Sequence, residues 1–175
     1  MPIKKLVFID ESGVNTNQTR RYGRSLKGER FFDNVPLVTK RNFTVVSSVR
    51  IDGKKAARIY EGALNGERFK DYLEHTLLPT LNPGDIIVGD NLRSHKVRGV
   101  YELLNRYDVK ILYLPPYSPD FNPIEEMRSK MKAILRKTKC RVREEIPTAI
   151  NDALSLVTQG NIISWFNRAF ISLFS

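Results

Sequence analysis

Hydrophobic positions follow two spacings along this chain, and the two spacings predict its strands and helices. Short runs of apolar and β-branched residues predict buried strands at residues 6–9, 43–49, 57–60, 85–90 and 109–114. Asp52-Gly53 predicts the hairpin turn between the second strand and the third. The polar sequence at residues 10–13, which ends in glycine, predicts a turn directly after the first strand.

Apolar residues three and four positions apart predict the helices. They lie between Asn65, a predicted cap, and Pro79, and at residues 96–107, 122–138, 146–158 and 161–173. The order of three strands, helix, strand, helix, strand and further helices predicts an α/β fold, in which helices cover the faces of a mixed sheet. Because no repeat or linker divides the chain, we expect a single domain over residues 1–175.

Composition adds a prediction about the binding partner. The chain has 29 Lys and Arg against 19 Asp and Glu, a net charge of +10, which favours a polyanion such as nucleic acid. A single cysteine, Cys140, excludes a disulfide framework or a cysteine zinc site within one chain. The apolar runs are too short for a membrane span or a secretion signal, so we expect a cytoplasmic protein.

Three carboxylates stand where strands end or a helix begins. Asp10 follows the first strand, Asp90 ends the fourth, and Glu125 lies in the first turn of the helix at 122–138. Strand ends and helix starts converge at one edge of an α/β sheet. Carboxylates that meet there repel one another unless a cation lies between them, and hard oxygen ligands suit Mg²⁺ or Mn²⁺.

Each of these acids also has an ordinary structural interpretation. Asp10 fits a turn, and Asp90 fits the end of a strand. Glu125 fits a capping box, with Asn122 as the cap and Pro123 as the first helical residue. The functional interpretation therefore depends on the three acids together.

Two longer motifs resemble the catalytic core of the mariner superfamily of DDE transposases, and most closely its bacterial insertion-sequence members. The first strand and Asp10-Glu11-Ser12 match the family's first acidic motif, and the 34 residues between Asp90 and Glu125 match its typical spacing. The motifs themselves are Asp90-Asn91-x-x-x-His95-Lys96 and Leu114-Pro115-Pro116-Tyr117-Ser118-Pro119-Asp120-Phe121-Asn122-Pro123-Ile124-Glu125.

The resemblance implies an RNase H-like fold and a role for each acid. Asp10, Asp90 and Glu125 would be the catalytic triad and would hold two Mg²⁺ (or Mn²⁺) ions. The family cleaves DNA at the ends of its element and inserts the element into target DNA, usually at TA. Its members generally act as homodimers on DNA, so we expect a homodimer here. Because they act on DNA, the resemblance also implies a nucleoid-associated protein.

Further site residues follow from the same motifs. We expect Lys96 and Lys132 to contact DNA phosphates, Asn91 to orient Asp90, and His95 to lie near the metals.

The chain departs from the family at Arg128, where relatives usually carry an aromatic residue. On a helix, Arg128 is within reach of Glu125, three positions before it. We expect Arg128, like Lys96 and Lys132, to contact a DNA phosphate, by extending past Glu125. In the alternative, Arg128 pairs with Glu125 and competes with metal, which would indicate an inactive enzyme.

The chain also begins directly before the first catalytic strand. We therefore expect no N-terminal helix-turn-helix region in this chain. Two explanations fit: a second reading frame that is normally joined by frameshifting, or a separate or truncated product. Three functions stay open: a transposase catalytic domain, a nuclease of the same fold that does not join DNA, and an inactive element-derived DNA-binding protein.

Overall fold

A computed structural model of the chain describes residues 2–15, 26–28, 30, 43–90, 99–115, 122–140 and 142–171. Its strands are β1 (Leu6–Val14), β2 (Phe43–Arg50), β3 (Lys55–Glu61), β4 (Ile86–Gly89) and β5 (Lys110–Tyr113). Its helices are α1 (Gly66–Tyr72), α2 (Val100–Arg106), α3 (Pro123–Thr138), α4 (Ile146–Ser155) and α5 (Gln159–Ile171). A π-helical turn (Leu73–Leu77) and a 3-10 turn (Leu78–Thr80) extend α1, and shorter 3-10 turns occur at Ile3–Lys5 and Arg143–Glu145.

The five strands form one mixed sheet in the order β3-β2-β1-β4-β5. β1, β2 and β3 pair antiparallel, whereas β4 pairs parallel with β1, and β5 pairs parallel with β4. The order of elements along the chain is the one predicted. β1 is central: it pairs with β2 over Val7–Val14 and with β4 over Leu6–Phe8, so its end lies beyond the paired part of β4.

Helices cover both faces of this sheet, as predicted. Because side chains alternate along a strand, Leu6 and Phe8 of β1 pack on one face with α3, α4 and α5. Val7 and Ile9 point to the other face and pack with α1 and α2. The sheet thus separates two apolar cores, and every second residue of β1 faces α3.

The first strand is longer than the sequence predicts. The expected turn at residues 10–13 is wrong, because β1 continues to Val14. Each of these residues pairs with β2, from Asp10 opposite Ser47 to Gly13 opposite Thr44. Pairing along a whole neighbouring strand outweighs the local turn preference of Asp and Gly. Asp10 therefore lies inside a strand.

The helix boundaries differ from the prediction by a few residues. Asn65 caps α1 as predicted, because its side chain accepts a hydrogen bond from the Arg68 backbone N–H at 2.9 Å. α2 begins at Val100, directly after Gly99, whose φ of +94° belongs to the left-handed region and breaks a helix. Residues 96–98 of that predicted helix lie outside the described residues.

A buried ion pair joins the two strands on either side of β1. Arg50, the last residue of β2, donates from Nη1 to Asp85 Oδ2 at 2.7 Å, directly before β4. Asp85 Oδ2 also accepts from the Asn82 backbone N–H at 2.9 Å, and Arg50 Nη2 donates to the Lys4 carbonyl at 3.3 Å. This pair, named here the Arg50–Asp85 clamp, fixes where β4 begins relative to β2.

Among the helices in the described parts of the chain, none is both long and apolar enough to cross a membrane.

Candidate active site

Strand geometry brings Asp10 and Asp90 to the same place. Asp10 shares the face of Phe8, the face that α3 covers, and it is only 7% exposed. The parallel register pairs Leu6 with Ile86 and Phe8 with Val88, and two positions further along lie Asp10, within β1, and Asp90, directly after the end of β4. Adjacent strands lie about 4.8 Å apart. The register thus places the two carboxylates side by side.

The first turn of α3 supplies Glu125. Asn122 occupies the cap position, and the Glu125 backbone N–H donates to its carbonyl at 3.1 Å. The Asn122 side chain makes no capping hydrogen bond, so the capping box is wrong. Ile124 and Met127 are buried in the core below, which fixes the start of α3 over β1. Glu125 is thereby held beside Asp10.

A single guanidinium joins two of the acids. Arg128 Nη1 donates to Asp10 Oδ2 and, at 3.0 Å, to Glu125 Oε1. The other oxygen of Asp10, Oδ1, accepts from the Glu11 backbone N–H at 2.7 Å. Arg128 therefore lies between a carboxylate of β1 and a carboxylate of α3.

Burial and the charges of Asp10 and Asp90 raise the pKa values of two neighbouring glutamates, Glu11 and Glu125. Burial raises the pKa of Glu125 and outweighs Arg128, which lowers it, while Asp10 and Asp90 raise it further. Burial is also the largest cause of the raised pKa of Glu11, followed by the charges of Asp90 and Asp10. All four carboxylates therefore belong to one electrostatic cluster at this edge of the sheet.

The cations of α3 respond to the same cluster. Burial lowers the pKa of Arg128, but Asp10, Glu125 and Asp90 outweigh it, and the pKa is raised. The pKa of Lys132, one turn further along α3, is lowered by burial and by Arg128, against the opposing effect of Asp10 and Glu125. Lys132 thus lies within the field of the cluster and carries no direct bond to it in the described part of the chain.

Glu126 does not belong to the cluster. Its Oε1 pairs with Arg168 Nη1 at 3.3 Å, on a different side of α3 from Glu125. The successive 100° rotation of residues along a helix separates the two neighbouring glutamates. Only Glu125 of this pair faces β1.

Comparison with a family model assigns the chain to one class of enzyme. The model described as "DDE superfamily endonuclease" matches residues 5–146, which include all three acids. The chain belongs to the DDE superfamily endonucleases. The predicted membership of the DDE superfamily is thereby confirmed.

Solved structures give the same result for the fold. The DDE chain is similar to Mos1 transposase in a paired-end complex with the left transposon end, at 15% identity and a TM-score of 0.74. The match covers 95% of this chain and 52% of that one. The Mos1 mariner paired end complex with Mn matches at 16% identity and a TM-score of 0.70, over 95% and 53% of the two chains.

A shorter Mos1 structure, that of the catalytic domain, also matches this fold. The catalytic domain of Mos1 mariner transposase is 14% identical, with a TM-score of 0.60 over 95% of this chain and 78% of that one. These likenesses confirm the RNase H-like fold. The DDE chain spans about half the length of the transposases in the two complexes. Comparison with curated protein sequences gave no significant match.

Not every predicted site residue lies in the described part of this DDE domain. Asp10, Asp90, Glu125, Arg128 and Lys132 do, and they lie in or beside one cluster. Asn91, His95 and Lys96 lie outside the described residues. Their roles stay predictions.

The sequence prediction does not include Glu11. Its Oε2 is buried and makes no hydrogen bond within the described residues. Burial, and then the charges of Asp90 and Asp10, raise the pKa of its carboxyl group. The prediction of a turn at residues 10–13 missed the strand that contains Glu11, whose side chain alternates with that of Asp10. Its position next to Asp10 is the sequence signal that pointed to it.

The carboxylates of this site are the type of ligand that binds a divalent cation, but they are not arranged to hold one. Carboxylate oxygens are the ligands that Mg²⁺ and Mn²⁺ prefer. Among the described residues, however, no group of three or more Asp, Glu, His or Cys side chains is arranged to hold a metal ion. Arg128 lies between Asp10 and Glu125 instead. The predicted triad of metal ligands therefore requires Arg128 to move.

Proposed function

We propose that this chain is the catalytic domain of a DNA transposase, which cleaves transposon ends and joins them to target DNA with the help of Mg²⁺ or Mn²⁺. The observation that carries the proposal is the convergence of Asp10, Asp90 and Glu125 in a chain of the DDE superfamily. The similarity to Mos1 transposase solved with transposon-end DNA, and with Mn or Mg, supports it.

The catalytic roles go to the three acids. Asp10, Asp90 and Glu125 would hold the divalent metal, with two ions expected. Bound there, the metal would activate water or a 3′-hydroxyl and stabilise the charge that develops on a phosphodiester. The acids' own contribution is to hold hard oxygen ligands on three elements of fixed geometry, namely β1, the end of β4 and the first turn of α3.

Cations beside the acids would position the DNA. Lys132 lies one turn from Arg128 on α3 and would contact a phosphate. Arg128 would reach a phosphate only after it has left Asp10 and Glu125. Lys96 is proposed as a further phosphate contact, with Asn91 and His95 beside Asp90. The net charge of +10 supports a polyanionic partner.

The proposed partners follow from the function. They are the ends of the element, a target that is expected to contain TA, and a second copy of this chain on paired ends. The protein would act where the DNA is, at the nucleoid of a bacterial cell.

One observation favours a second function, that of an inactive DNA-binding protein derived from an element. The Arg128–Glu125 ion pair, 3.0 Å long, holds a cation where a metal ion is expected. Such a protein would bind DNA with the salt dependence of phosphate contacts and would not cleave it.

Joining of DNA separates these functions. The experiment incubates the chain with a labelled duplex that ends in a free 3′-hydroxyl and a plasmid rich in TA, in Mn²⁺. We expect label in the plasmid, loss of joining in Asp10→Asn, and retention in Glu102→Gln, an exposed acid of α2. Plasmid nicks without joined label would indicate a nuclease, and DNA binding alone would indicate the inactive protein.

A further inference from the structure

We propose that Arg128 is an internal cation that takes the place of a divalent metal ion in the acid cluster, so that metal binds only by displacing its guanidinium from Asp10 and Glu125. This inference rests on the proposed function, because it concerns the regulation of the same site. It assigns to Arg128 a role in the metal-free chain that is separate from any contact with DNA.

The first support is the geometry of the ion pair. One nitrogen, Nη1, bridges Asp10 of β1 and Glu125 of α3, as a metal ion between two carboxylates would. The Arg128 side chain is 26% exposed and that of Asp10 is 8% exposed, so water screens this interaction only partly. Hydrogen bonds between charged partners in such surroundings are stronger than neutral ones.

The second support is the rigidity of the elements that deliver the guanidinium. Met127 and Met131 of α3 are buried in the core on either side of Arg128. Asp10 lies inside β1 and pairs with Ser47 of β2, and β4 pairs with the start of the same strand. The contact is therefore made between two elements of fixed position and not by a loop.

The third support is that the guanidinium is only partly satisfied. Arg128 Nε is buried and makes no hydrogen bond within the described residues. Both bonds to the acids use the same nitrogen, so neither acid is bound through the two-nitrogen fork that arginine can offer a carboxylate. Arg128 neutralises the acids, yet among the described residues its departure breaks only these two hydrogen bonds.

The electrostatics of the cluster explain why a cation must replace the one that leaves. Burial raises the pKa of Glu125, and Asp10 and Asp90 raise it further, which shows that ionised acids here repel one another. Without Arg128, this repulsion favours a divalent ion. A metal ion therefore competes with Arg128 for the same carboxylates.

Competition lowers the apparent affinity for metal. Hydrogen bonds to charged groups have a net worth that corresponds to roughly 10- to 100-fold in an equilibrium constant. We therefore expect removal of the guanidinium to tighten Mn²⁺ binding by about this factor.

The test is a titration of the full chain with Mn²⁺ alone, in which the electron paramagnetic resonance signal counts the free ion. Wild type is compared with Arg128→Met, which keeps an apolar stem and loses the charge. The matched control is Lys132→Met, because it removes one positive charge from the same field without a direct bond to the acids. Circular dichroism checks that each variant folds, and Arg128→Gln replaces Arg128→Met if that variant does not.

We expect Arg128→Met to bind Mn²⁺ roughly 10- to 100-fold more tightly than wild type. Lys132→Met should change the affinity far less. Equal affinity of wild type and Arg128→Met would overturn the inference and leave the proposed metal site standing. Failure of both chains to bind Mn²⁺ would overturn the metal site itself, and the inference with it.

Discussion

The Arg50–Asp85 clamp should be one of the most sensitive points of the fold. It connects the end of β2 to the start of β4, across β1, and thereby supports the register that places Asp90 beside Asp10. Both side chains are almost fully buried, at 9% and 4% exposed. Asp85→Ala leaves the Arg50 guanidinium buried without its buried carboxylate partner, and its remaining acidic partner among the described residues is Asp52, which is 41% exposed and 3.5 Å from Nε.

The magnitude follows from that burial. Removal of one partner of a buried ion pair costs about 3–5 kcal/mol, because the remaining charge stays desolvated. In a domain of this size each kcal/mol corresponds to roughly 2–4 °C in Tm. We therefore expect Asp85→Ala to lower Tm by about 6–20 °C. The double variant Arg50→Met/Asp85→Ala should recover part of this loss, since no buried charge is left alone.

Urea unfolding followed by circular dichroism measures these free energies. The matched control is Glu126→Ala, which breaks an ion pair with Arg168 whose side chains are 48% and 62% exposed. Such an exposed pair contributes about 0–1 kcal/mol. If Asp85→Ala costs no more than Glu126→Ala, or if the double variant is no more stable than Asp85→Ala, the reasoning about the clamp is refuted.

Three further predictions concern the site. Lys132→Gln should weaken DNA binding at every sequence and reduce the slope of log affinity against log salt by about 1, measured by fluorescence anisotropy at several salt concentrations; an unchanged slope would exclude a phosphate contact. The pKa of Glu11 is raised, chiefly by burial and then by the charge of Asp90. The ionised form of Glu11 therefore destabilises the folded protein at high pH, and this cost disappears as pH falls below the ordinary pKa of 4.5. Glu11→Gln should therefore gain in Tm relative to wild type from pH 4 to pH 8, and a difference independent of pH would contradict this. Gly89→Ala places a Cβ 2.9 Å from Ile9 Cγ1, a buried core atom, and should cost about 1–3 kcal/mol in urea unfolding, whereas a neutral result would mean that Ile9 moves freely.

Much of the fold could be predicted because apolar residues recur along the chain at the regular spacings of strands and helices. The helices on both faces and the order of the elements follow from local patterns of apolar residues. The length of β1 does not, because Asp10 and Gly13 have the local chemistry of a turn. What holds them in a strand is pairing with Ser47 and Thr44, which are more than 30 residues away.

The candidate site shows the same division. The spacing of three residues on a helix indicated the contact between Arg128 and Glu125, although we expected Arg128 to contact a DNA phosphate. Its contact with Asp10 depends on how α3 packs over β1 and has no local signal. The Asn122 side chain shows the reverse case, since a favourable capping sequence makes no capping bond.

The central claim is that the acid cluster cleaves DNA, and nicking of a supercoiled plasmid in Mn²⁺ and in Mg²⁺ tests it most directly. The comparison is wild type against Asp90→Asn, with Glu102→Gln as the control for loss of an acid elsewhere. We expect nicks that require the metal, persist in Glu102→Gln and disappear in Asp90→Asn. Binding of the plasmid without nicks in either metal, or equal nicking by Asp90→Asn, would contradict the account.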